Sequence, residues 1–143
     1  MLTLNFLIHK NIFSTVSFNE TIPNLRHEDT LFSYNLKQQK IIVLHIENPV
    51  FHLGLDDFEV AIKKENESIL GLKYLIDHQL LPTDYVRLSK IAAEIDKLNL
   101  NFAFAIFYKI TKPYFLKNIA SNNPSLFIFD LYRLGNLCNL NSN

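Results

Sequence analysis

The chain has 143 residues, 48% of them hydrophobic and 20% charged, a composition that supports a sizeable core and excludes wholesale disorder. Fourteen basic residues balance fourteen acidic ones, so no global field draws the chain to nucleic acid or to an anionic membrane, and any such contact needs a local patch. A single cysteine, Cys138, excludes an internal disulfide and a four-thiolate zinc site, and implies a reducing compartment.

The N-terminal run MLTLNFLIHK carries no positive charge ahead of its apolar residues, so it reads as a strand and not as a signal peptide. Leu2, Leu4, Phe6 and Ile8 lie two apart, and Phe32, Tyr34 and Leu36 repeat that period. Between them SFNETIPNLRHEDT is polar and contains Pro23, as expected of a long loop. LFSYNL, KQQK and IIVLHIEN read as a hairpin that stops at Asn48-Pro49, because proline lacks a ladder donor.

The period changes after Leu55. Asp56 or Asp57 followed by FEVAIKKENE offers a helix start with acidic residues in its first turn, although FEVAI alone also fits a short strand. Ile69, Leu72, Leu75, Ile76 and Leu80 form one helical stripe, closed by Pro82. The following segment, with Val86, Ile91, Ile95 and Leu98 near helical spacing, predicts a second helix whose other face shows Arg87, Lys90, Glu94 and Lys97. That charged face is the candidate binding surface.

Residues 99–118 contain six aromatic rings. Within them FAFAIF is apolar on both alternating faces, the pattern of a central parallel strand covered on two sides. Phe102, Ala103, Phe104 and Phe107 also fall in register with the base-stacking strand of RNA-recognition domains, but Leu100 stands in place of its basic residue and Asn101 in place of its glycine. PYFLKNIASNN suits a short helix and SLFIFDLYRL a further strand, giving a strand-helix-strand crossover, with a frayed tail over about residues 135–143. These elements predict one α+β domain over residues 1–143. Its single mixed sheet has an antiparallel N-terminal part, two or three central helices on one face and a C-terminal β-α-β unit.

Few residues point to chemistry. No glycine-rich phosphate loop and no G-x-S-x-G is present, and spacing pairs no serine with a histidine. On a strand His45 and Glu47 would share a side, with His52 folding back after Pro49. Glu47, Asp57 and Asp130, if they converge at strand ends, could hold Mg²⁺ or Mn²⁺ for phosphodiester cleavage, with His45 as base and Lys63 steadying the developing charge. The reading that best accommodates a full core and sparse catalytic signals is a cofactor-free cytoplasmic protein that binds another protein, as an inhibitor, immunity protein or antitoxin does. Nucleic acid and membrane are the disfavoured partners.

Overall fold

The computed structural model describes residues 5–23, 26–51, 54 and 56–142. Among the described residues there are six helices and no strand: α1 Lys10–Thr15, α2 Glu28–Gln38, α3 Phe58–Asp77, α4 Arg87–Lys97, α5 Asn101–Ile119 and α6 Leu126–Asn141. Helix accounts for 62% of the described residues. The α+β expectation, with its mixed sheet and β-α-β unit, is therefore wrong.

The physical reason lies in runs that are apolar at every position. FAFAIF is apolar at every position, so its pattern does not separate a strand from a helix, and length then decides. Residues 101–119 are long enough for a helix that turns Ala105, Tyr108 and Phe115 inward. Phe32 and Leu36 likewise lie on one face of α2 as i and i+4, and both are buried. Of the first expected strand, residues 2 and 4 lie outside the described set, and residues 5–8 form neither helix nor strand. The same holds for residues 41–51, the expected second arm of the hairpin. The segment LFIFDLY belongs to α6, which begins at Ser125. That side chain accepts the Ile128 N–H at 3.4 Å as an N-cap.

The helix readings after Leu55 fared better. FEVAIKKENE and the Ile69 stripe are one continuous helix, α3, and α4 forms where expected, but of its expected apolar face only Ile95 is buried: Ser89 and Ala92 complete the packed side, while Ile91 and Leu98 are exposed. Pro113, expected to open a short helix, lies inside α5 and on its exposed side.

Three helices stop by the same device. Lys40, Gln79 and Asn99 take φ values of 55°, 57° and 57°, the left-handed conformation more commonly given to glycine. After α2 the Ile41 N–H reaches Leu36 O at 3.0 Å; after α3 the Leu80 N–H reaches Leu75 O at 2.9 Å. After α4 the Leu100 N–H reaches Ile95 O at 3.0 Å, and in each case a second bond closes the motif. Leu36, Leu75 and Ile95 are themselves buried, so each stop is anchored in the core.

α6 is the element on which the others assemble, packing against α3, α4 and α5. Tyr132 and Cys138 are fully buried, and Leu137 joins Ile69 of α3 with Ala92 and Ile95 of α4 in one cluster. Residues 135–141, expected to fray, are thus the last turns of the most enclosed helix. A second cluster joins Leu31 of α2 to Leu72, Leu75 and Leu81, and a third places Phe32 and Leu36 against Val16 after α1. Tyr108 and Phe115 of α5 meet Tyr132 in the fourth, fixing α5 and α6 as an antiparallel hairpin.

Candidate functional site

The residues expected to bind metal are distributed over separate elements. His45 and Glu47 lie exposed in the irregular stretch 41–51, and His52 is outside the described residues. Asp57 immediately precedes α3, Lys63 is exposed on α3, and Asp130 points outward from α6 with Arg133 at 3.9 Å. Among the described residues no three His, Cys, Asp or Glu side chains gather closely enough to hold an ion. The base-stacking strand is overturned outright, since Phe102, Phe104 and Phe107 belong to a helix. Arg87, Lys90, Glu94 and Lys97 are exposed on α4, where Lys97 donates to Glu94 at 2.8 Å.

What spacing does not disclose is a polar seam along α3. Arg133 Nε donates to Glu65 at 2.6 Å, and both Tyr132 Oη (2.8 Å) and Asn136 Nδ2 (2.9 Å) donate to Asn66 Oδ1. One turn away Ser68 Oγ lies 2.9 Å from His27 Nε2, while His27 Nδ1 lies 3.0 Å from Thr30 Oγ1. Ser68 and Glu65 line a cleft of about 390 Å³ with Arg26, Asp56, Lys64 and Phe129. Burial lowers the His27 pKa, against the opposing pull of Asp29 and Glu65, so the ring is held neutral with one nitrogen donating and the other accepting.

A serine within reach of a neutral histidine has the form of a nucleophile and its base. Acyl transfer also needs donors aimed at the developing oxyanion, and among the described residues the backbone around Ser68 offers none. Ser68 lies in the interior of α3, where backbone N–H groups are spent on the helix itself. The nearby cations are engaged as well, Lys64 with Asp56 at 2.6 Å and Arg26 with Glu67 at 3.9 Å. The pair is therefore a tether. It holds His27, which has φ of 69° next to Arg26 at 68°, against α3 and so fixes the entry into α2.

The stronger feature is apolar. On α5, Phe102, Ile106, Ile110 and Tyr114 recur every four residues and form one row facing away from the core. Phe102 is 72% exposed, Ile110 67% and Tyr114 73%, where a helix of a folded monomer would normally show charge. The charged residues of α5 are Lys109, Lys112 and Lys117, with no carboxylate among them. At the start of α6, Leu126 and Phe127 are exposed too. α5 is thus apolar on nearly its whole circumference, with one arc covered by α6 and the other open.

No family model, no curated protein and no solved structure matches the chain. No helix among the described residues is long and apolar enough to cross a membrane.

Proposed function

We propose that the protein acts by binding another protein chain through the outer face of α5, as inhibitors, immunity proteins and antitoxins do. The observation that supports this is the row Phe102, Ile106, Ile110 and Tyr114, open along the length of α5. Contiguous apolar patches on soluble monomers seldom exceed roughly 300–600 Å², and larger ones mark interaction surfaces. Aromatic anchors flanked by lysine stems also match the composition of interface cores, where Phe and Tyr are enriched. The uncovered arc is helical, so a helix laid along it would engage side chains by ridge and groove.

The test is affinity retrieval of the tagged full chain from its native cells, run beside the Ile106→Glu, Ile110→Glu double variant. A stoichiometric protein partner retained by the wild type and lost by the variant is the expected result. Equal retrieval by both chains would place binding elsewhere and overturn the reading.

A further inference from the structure

We infer that the chain that covers the α5 face is a second copy of this protein, paired antiparallel about a two-fold axis beside residue 108. The inference rests on the reading of that face as a protein-binding surface and names its occupant.

The row itself is self-complementary. Phe102 and Tyr114 stand six residues either side of position 108, and Ile106 and Ile110 stand two either side. In an antiparallel two-fold pair, Phe102 therefore lies against the partner's Tyr114, and Ile106 against the partner's Ile110. A two-fold contact uses one patch twice, and the order ring, isoleucine, isoleucine, ring lets each side chain meet one of like size. Rows spaced by four residues are the ridges that interlock in the commonest class of helix packing, with axes crossing near about −50°.

Area agrees with this occupant. The row, with Ala103, Phe107 and Pro113 beside it, exposes on the order of 700 Å², close to the roughly 800 Å² that each partner contributes to a standard interface. A lone monomer would leave that surface to water.

Charge agrees as well. The charged residues of α5 are all lysines, whereas the corner that leads into it carries Glu94, Asp96 and Lys97, all exposed; Lys97 pairs with Glu94 at 2.8 Å, which leaves the corner the one negative charge of Asp96. Antiparallel pairing sets Lys117 opposite the partner's position 99, beside that acidic corner, and does so twice. A parallel pair would stack Lys109, Lys112 and Lys117 on their own copies, which like-charge repulsion disfavours. Inward-facing Tyr108 stays in the core in either case, because the proposed contact uses the opposite arc of the helix.

The experiment is sedimentation equilibrium on the full chain, wild type beside Ile106→Glu, Ile110→Glu, with circular dichroism to establish that both keep their helix content. The wild type should run at twice the chain mass, and the variant should dissociate at least about 100-fold more readily, as expected when a central anchor is lost. Disulfide exchange then reports the register. Ile106→Cys mixed with Ile110→Cys should cross-link faster than either alone, and buried Cys138 stays out of the reaction.

A monomeric wild type, a dimer indifferent to the double substitution, or preferred cross-links between like positions would each overturn the inference. Sedimentation of a monomer only with anionic phosphatidylserine vesicles would overturn it in favour of lipid. A monomeric wild type whose stoichiometric retrieval of another protein still depends on Ile106 and Ile110 would remove the self-pairing and leave the binding reading standing.

Discussion

Gly135 of α6 lies directly beneath the side chain of Tyr108 of α5. A Cβ placed on Gly135 would come within 2.7 Å of Tyr108 Cδ2 and 2.8 Å of its Cβ, closer than carbon atoms approach. The missing side chain is what lets the two helices come together, and it explains a glycine in the middle of a helix, where it is otherwise unfavourable by about 1 kcal/mol relative to alanine.

Gly135→Ala should therefore destabilise the fold despite the helix propensity it gains. Overpacking costs about 1–3 kcal/mol and the propensity gain returns up to about 1, so a net loss on the order of 1 kcal/mol is expected. The clash includes Tyr108 Cβ, which cannot swing aside as the tip of a flexible side chain could. Urea unfolding of the variant measures this, and an unchanged or raised midpoint would show that α5 and α6 do not pack as closely as described.

His27 should make stability depend on pH. Burial lowers its folded-state pKa below the ordinary value of 6.5, so the unfolded chain binds the proton more readily. Its contribution is intact above about pH 6.5 and is lost progressively as pH falls below that, until the folded-state pKa is passed. His27→Asn, chosen because asparagine tolerates a positive φ, should flatten that part of the profile. Thermal melting of both chains between pH 7.5 and 5, about the histidine range, measures it; parallel profiles would remove His27 from the effect.

Cys138 should be inert in the folded protein. Burial, with a smaller push from Asp96, raises its thiol to about 11, so at pH 8 roughly one molecule in a thousand carries the reactive thiolate. Labelling by an aromatic disulfide reagent should follow unfolding and accelerate sharply through the denaturant transition. Complete modification of native protein within seconds would be incompatible with the position of this residue against Ile69 and Ile95.

The three left-handed helix stops are sites where stability can be raised. Lys40 and Gln79 are exposed, so their replacement by glycine removes backbone strain without disturbing a packed side chain. Lys40→Gly and Gln79→Gly should each stabilise the protein by about 0.5–1 kcal/mol, and Asn99→Gly by less, because asparagine visits this conformation more readily. Alanine at the same positions should give no such gain. Chemical denaturation of the six variants would distinguish the two cases.

These stops also show why the sequence was only partly legible. The α3 and α4 segments announced themselves because charged residues interrupt their apolar stripes and so reveal the period. α5 and α6 hold almost no charge to mark an outer face, and FAFAIF fits two periods equally well. Helix ends were hidden in the same way, since lysine and glutamine occupy positions where glycine would have signalled a stop. Of the candidate site, the aromatic richness of residues 99–118 was visible at once. That half of it faces outward depended on knowing that Ala105, Tyr108 and Phe115 face inward. The Ser68 and His27 contact joins positions 41 apart, and no local pattern encodes it.

The central place of α6 bears on how the chain acquires its structure during synthesis. α3, α4 and α5 emerge from the ribosome before the helix that unites them, so Ile69, Ala92, Ile95 and Tyr108 remain without their shared neighbour until residues 126–141 are available. In that interval the nascent chain presents core surface as well as the outer arc of α5. The packing that joins α3, α4 and α5 is therefore completed only once α6 has been synthesised, and the nascent chain is most exposed to aggregation before that point.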